Sequence, residues 1–298
     1  MKLAHFSDVH IGAGAATSDA RAFCRMIDHA IGNGAEHLLI GGDLVDRGNV
    51  MDAKPVRDHL ARRGFLHPDR LSIVPGNHDI WPIGHSALES PAAFASVMVR
   101  KLKAHATGSN DPAQDNLEAL VDLFSEAFDG AETFYSDLPL PCVKQVGPIR
   151  LGLLDTTSHS LFTHAQGRFA PAEGRWLKRA LGEREGPSIL LMHHWPFPWT
   201  AVDSAELPGA VHFLADTLGL DLEALCDVNF EDLAAVRRFI RTGNFDAVLC
   251  GHMHEGDRDT IGDVPVFCMG RSGGEDGASA YDLINATPRS IRARTHHV

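Results

Sequence analysis

A chain of 298 residues that is 44% hydrophobic and 22% charged has the balance of a folded protein with a sizeable core, in one large α/β domain or two smaller ones. Its net charge of −12 excludes a broad basic face for nucleic acid, and the absence of any run of 18 apolar residues excludes a membrane-spanning helix. Five scattered cysteines (Cys24, Cys142, Cys226, Cys250, Cys268) form no paired motif, which argues against a disulfide framework and for a reducing, cytoplasmic setting.

The amino terminus runs straight into a strand over Lys2–Ser7, with too short an apolar stretch for a signal peptide. Asp19–Ile31 follows as a helix with Phe23, Met26, Ile27, Ala30 and Ile31 on one face, stopped by Gly32 and Gly34. His37–Ile40 is a second strand, Ala53–Arg63 a helix closed by Gly64, and Arg70–Val74 a third strand. A β-α-β-α-β opening predicts right-handed crossovers and a mostly parallel sheet. The alternation then breaks at a helical insertion over about 84–132, with helices at Pro91–Lys103 and Gln114–Phe128. Strands are expected at Thr133–Tyr135, Ile149–Leu154 and Ser188–Met192, with a helix over Ala172–Leu181 whose Trp176 and Leu177 face the core. A second insertion covers about 199–229, and Glu231–Arg241 is a helix. The chain closes with strands at Ala247–Cys250, Asp259–Ile261, Val264–Met269, Ala280–Ile284 and Ser290–Thr295.

Five of these strands end in polar motifs. The first gives Asp8-Val9-His10; side chains two apart on extended backbone point the same way, so a carboxylate and an imidazole can grip one metal. The second gives Gly41-Gly42-Asp43-Leu44-Val45-Asp46-Arg47, where Asp43 has two oxygens for two cations. Asp46 and Arg47 are candidates to orient ligands, or a surface ion pair. The third gives Pro75-Gly76-Asn77-His78-Asp79: an amide oxygen for a metal, and a histidine for substrate whose tautomer Asp79 is expected to fix. The fourth is Met192-His193-His194-Trp195-Pro196, and the fifth is Cys250-Gly251-His252-Met253-His254, with two imidazoles on one side. Each motif alone is weak; five in order at strand ends are a constellation.

That order, D-x-H, G-D-x-x-D, G-N-H-[DE], a lone His and G-H-x-H, resembles the calcineurin-like metallophosphoesterase superfamily over about residues 1–270. The resemblance implies a four-layer α/β/β/α sandwich of two mixed sheets with flanking helices, here as one domain over 1–298 capped by the two insertions. It implies a dinuclear metal centre: Asp8, His10 and His254 on one divalent ion, Asn77, His193 and His252 on the other, Asp43 shared. His193 rather than His194 is the expected ligand, and His78 matches the histidine that meets the phosphoryl group. A bridging hydroxide would be the nucleophile, and N/O ligands suit Mn, Fe, Co, Ni or Zn.

The expected activity is hydrolysis of a small organic or nucleotide phosphodiester. Trp81, Trp195 and Trp199 beside the ligand loops read either as an aromatic rim for its organic group or as braces between loops. Competing readings are a phosphomonoesterase, a DNA-repair-type nuclease suggested by Ser7-Asp8-Val9-His10-Ile11-Gly12, and a metal-binding scaffold without turnover. Nucleic acid stays open because bound metals add local positive charge. A remote alternative is a serine hydrolase, since Gly270-Arg271-Ser272-Gly273-Gly274 fits G-x-S-x-G after a strand.

Overall fold

The computed structural model describes residues 1–13, 15–82, 112–159, 165–182, 186–199, 209–219, 227–273, 279–287 and 290–298. Two sheets form its centre. In the first, β1 (Lys2–Phe6), β2 (His37–Ile40) and β3 (Leu71–Ile73) run parallel. β11 (Ala280–Thr287) and β12 (Ser290–His297) add antiparallel beyond β1, giving the order β12-β11-β1-β2-β3. The second sheet has the order β4-β5-β6-β7-β8-β10-β9. Its middle strands β6 (Ile149–Leu153), β7 (Ser188–Leu191), β8 (Ala247–Cys250) and β10 (Val264–Cys268) are parallel. β4 (Glu132–Thr133), β5 (Cys142–Val146) and β9 (Asp257–Ile261) form its antiparallel margins.

Alternation along the strands builds the layers, because side chains two apart share a face. Leu39 of β2, Ile189 and Leu191 of β7 and Leu249 of β8 fill a core between the sheets. Their neighbours Leu38 and Ile40 face outward onto helices α1 (Ala16–Gly32) and α2 (Lys54–Arg63) through Phe23, Met26, Ile27, Val56 and Leu60. On the far side, Leu190 and Val248 meet the helices Pro171–Gly182 and Leu233–Thr242 through Leu177, Leu181, Val236 and Ile240. The middle strands of both sheets are thus covered on both faces, which is why they read as apolar runs. The result is the α/β/β/α sandwich that the sequence led one to expect.

Among the described residues the other helices, in chain order, are α3 (Asn77–Ile80), α4 (Pro112–Leu123), α5 (Pro171–Gly182), α6 (Gly209–Leu218) and α7 (Leu233–Thr242). The expected helix at 91–103 lies outside the described residues, while the second helix of that insertion is α4 followed by a 3-10 turn at Ser125–Phe128. β5 is the strand that sequence reading missed: Lys144 and Gln145 interrupt its apolar pattern, and Lys144 is nevertheless buried. Leu177 enters the core as expected, and Trp176, half-buried, packs against the same cluster and lies 5.8 Å from Phe134. Among the described residues no helix is long and apolar enough to cross a membrane, and four cysteines are free.

Candidate metal centre

The carboxyl ends of β1, β2, β3, β7 and β8 deliver all five motifs to one hollow, where an open α/β sheet places its chemistry. The loops lie side by side: Asp8 N donates to Gly42 O at 3.1 Å, His10 N to Asp43 O at 3.0 Å, and Gly251 N to His193 O at 2.9 Å. The backbone turns abruptly there. Asp8, His10, Asp43, His252 and His254 all have positive φ, between 51° and 79°. Non-glycine residues rarely adopt this region, and such strain concentrates at functional sites. Gly76 and Gly251 permit the approach: a Cβ on Gly76 would lie 2.2 Å from Asp43 Oδ1, and one on Gly251 2.3 Å from Asp8 Oδ2.

Two groups of side chains meet in the hollow. Asp8, His10, Asp43 and His254 offer donor atoms within 4.8 Å of one another. His10 Nε2 is 3.0 Å from His254 Nε2, and His254 Nε2 is 3.5 Å from Asp8 Oδ1. On the other side, His193 Nε2 is 3.3 Å from each of Asp43 Oδ2, Asn77 Oδ1 and His252 Nδ1. His193 Nδ1 is fixed on Gly41 O at 2.8 Å, the outer contact that aims an imidazole at a metal. Asp43 joins the groups. Its Oδ1 accepts from His78 N at 2.8 Å. Its Oδ2 is buried without an aligned donor, 3.8 Å from His10 Nε2 and 3.3 Å from His193 Nε2. A buried carboxylate oxygen left this way, facing imidazole nitrogens, fits a cation-binding site.

The electrostatics agree. Burial raises the Asp8 carboxyl to about 6, the neighbouring Asp43 adding to the effect. Burial also works to raise Asp43, yet His193, His78 and His10 hold it well below the usual carboxylate range. His193 would be depressed by burial, but Asp43 outweighs this and lifts it to about 10. Burial drives His194 and His252 well below the ordinary imidazole value.

His78 stands at the edge of the group, and Asp46 Oδ1 accepts from its Nδ1 at 2.9 Å. This corrects the expectation that Asp79 would fix the His78 tautomer. Adjacent residues on a helical turn point apart, and Asp79 instead accepts from Val45 N at 2.8 Å and Gly76 N at 2.9 Å. Burial, with Asp43 adding, raises Asp79 to about 7. Arg47 Nε lies 3.1 Å from Asp46 Oδ2. His194 is anchored through Nδ1 on Thr156 Oγ1 at 2.8 Å and lies against the His252 ring. Thr156 belongs to Asp155-Thr156-Thr157, which the sequence offers at a strand end as a support for the ligands, and it fills that place behind His194.

Of the three indoles, Trp81 and Trp195 are 2% and 5% exposed. Trp81 Nε1 donates to Ser158 O at 2.7 Å, and Trp195 packs on Phe197. Both brace loops, and only Trp199, half-buried and 6.1 Å from the His252 ring, keeps surface at the site. The serine of G-x-S-x-G is 1% exposed, its Oγ accepting from Ser7 N at 3.1 Å, so it supports the first ligand loop.

A family profile described as Calcineurin-like phosphoesterase matches residues 1–256. The chain belongs to the calcineurin-like phosphoesterase family. Its Asp and His clusters are consistent with the dimetal site of that family. Among solved structures of the same fold is a dimetal phosphatase from Danio rerio, with a TM-score of 0.58 and 14% identity, covering 100% of this chain and 96% of that one. The protein TT1561 of Thermus thermophilus gives 0.52 at 14% identity, covering 99% and 98%. A cAMP/cGMP dual specificity phosphodiesterase of Mycobacterium tuberculosis is 25% identical over 167 residues. That match takes in 51% of this calcineurin-like phosphoesterase and 45% of the relative.

Proposed function

We propose that the protein is a phosphodiesterase acting on a small organic or nucleotide phosphodiester, with two divalent ions drawn from Mn, Fe, Zn, Co and Ni. The observation that carries this reading is Asp43 Oδ2, buried between His10 and His193 without a donor of its own. One ion falls to Asp8, His10 and His254, the other to Asn77, His193 and His252, with Asp43 shared. When bound, two such ions supply a water of lowered pKa and a clamp for in-line displacement at phosphorus.

The chain's own groups do the rest. Asp46 holds the His78 Nδ1 proton, which leaves Nε2 as the nitrogen that donates to a phosphoryl or leaving oxygen. Burial works against a charged His78, but Asp43 and Asp46 outweigh it and raise its pKa, so the ring carries a proton to give. Asp43 Oδ1, tied to His78 N, keeps His78 in register with the shared carboxylate. The insertions 84–132 and 199–229 act as a cap over a single domain. Supporting this, α4 packs through Ala113 and Leu117 on Ile80 and Trp81, directly behind His78, and Asn116 Nδ2 donates to Ile80 O at 2.9 Å. The second insertion is drawn closed at its base: Asn229 Oδ1 accepts from Trp199 N at 2.7 Å, and its Nδ2 donates to Trp199 O at 2.9 Å.

The preference for a nucleotide diester draws on the cyclic-nucleotide substrates of the Mycobacterium relative. The test is turnover of bis(p-nitrophenyl) phosphate, p-nitrophenyl phosphate, a cyclic nucleotide and plasmid DNA by one metal-loaded preparation. Diesters should exceed the monoester by at least about tenfold in kcat/KM, a difference of about 1.4 kcal/mol in transition-state stabilisation. Preference for the monoester, or fast plasmid cleavage, would overturn the reading.

A further inference from the structure

The tract Gly270–Gly273 follows β10 and is threaded between two ligand loops. Arg271 N donates to His254 O at 3.1 Å, and Ser272 N to Ser7 O at 2.9 Å. A Cβ on Gly273 would lie 2.2 Å from Val9 O, so the tract sits hard against the Asp8–His10 loop. The Arg271 backbone is therefore pinned one hydrogen bond from a candidate ligand. Its side chain lines a cleft of about 490 Å³ with His254, Arg258, Asp282, Thr295 and His297.

The charged neighbours in that cleft are already engaged. Arg258 lies over the Phe267 ring, with its guanidinium 3.4 Å from Thr295 Oγ1 and 3.6 Å from Asp282 Oδ1. Asp282 accepts from Thr295 Oγ1 at 2.6 Å, and Asp257 accepts from Arg258 N at 2.7 Å. Arg271 differs. Its Nε is buried and has no hydrogen-bond partner, and no carboxylate pairs with it among the described residues. A permanent cation with a buried donor left unmet is unfavourable until an anion arrives. The cleft holds His254 but none of the other candidate ligands, so an anion on Arg271 sits beside the centre rather than over it.

We propose that Arg271 binds a second phosphate of the substrate, on the His254 side, so that the substrate class is a diester carrying two linked phosphates, such as a dinucleoside diphosphate. This rests on the phosphodiesterase reading above and narrows it. Planar, bidentate recognition of phosphate is what a guanidinium fork provides and an ammonium does not.

The test compares the metal-loaded wild type with Arg271→Ala and Arg271→Lys on two substrates. One is diadenosine diphosphate; the other is thymidine 5′-(p-nitrophenyl phosphate), which has a single phosphate. The ratio of their kcat/KM values should fall about 10- to 100-fold in Arg271→Ala, chiefly through KM, and by less in Arg271→Lys. Calorimetric binding of the α,β-methylene analogue of diadenosine diphosphate should weaken by a similar factor, with metal content retained. Equal losses on both substrates in both variants, or unchanged affinity for the analogue, would overturn the proposal and leave the phosphodiesterase reading standing. A wild type with two metals that hydrolyses neither substrate would overturn both.

Discussion

Asp43 and His193 set the chemistry at the scale of single residues. Each is buried and each perturbs the other, so the metal-free centre holds protons that a metal must displace. His193 is lifted from 6.5 to about 10; that proton stabilises the metal-free fold fully below pH 6.5, and the benefit is lost as pH rises through 10. Asp8 and Asp79, raised from 3.8 to about 6 and about 7, act in the same direction: their protons help below 3.8, and the help is gone above 7. Metal binding has the opposite dependence, because its ligands must be deprotonated. The gap in Tm between metal-loaded and EDTA-stripped protein should therefore widen from pH 6 to pH 9, by roughly 5 °C. Thermal scans across that range check it; a gap that narrows with rising pH would contradict it. His78 makes a separable prediction. His78→Ala should keep its metals yet lower kcat by about 10²-fold or more, and Asp46→Asn, which keeps an acceptor for Nδ1 but removes its negative charge, by about tenfold. Metal analysis beside steady-state kinetics reads both.

Among the elements, β5 shows how a strand hidden in the sequence holds the layers together. Lys144 lies in β5 of the second sheet, and its Nζ donates to Leu71 O and Ala127 O at 2.6 Å and to Ser72 Oγ at 3.1 Å. Leu71 and Ser72 belong to β3, the edge strand of the first sheet, so one buried ammonium ties the two sheets where β3 lacks a neighbour. Lys144→Met should cost about 3 kcal/mol in urea unfolding, because it strands two buried carbonyls. A loss below about 1 kcal/mol would show that the contacts contribute little. Apolar strands bounded by glycine, such as His37–Ile40 and Ala247–Cys250, were legible to the residue, since burial on both faces leaves a continuous hydrophobic run. β5 was not, because two of the partners that make Lys144 acceptable inside, Leu71 and Ser72, lie 73 and 72 residues away in sequence. The Asp46–His78 contact escaped for the same reason: proximity in sequence favoured Asp79, while the fold brings Asp46 across from the loop after β2.

For the whole molecule, the two sheets converge so that ends of β1, β2 and β3 face ends of β7 and β8, and the centre exists only where they meet. Motif order showed which residues would gather, because each motif sits at a strand end. It could not show the left-handed backbone at Asp8, His10, Asp43, His252 and His254, nor that Gly270–Gly273 would brace the ligand loops instead of presenting a serine nucleophile. In a chain of net charge −12, a hollow carrying two dications would be an isolated positive spot, which favours small anions over a long polyanion. The shared carboxylate is the point on which this arrangement turns. Metal analysis of purified wild type and Asp43→Ala is its most direct test. The account predicts two divalent ions per wild-type chain and fewer than one in the variant; two ions retained by Asp43→Ala would contradict it.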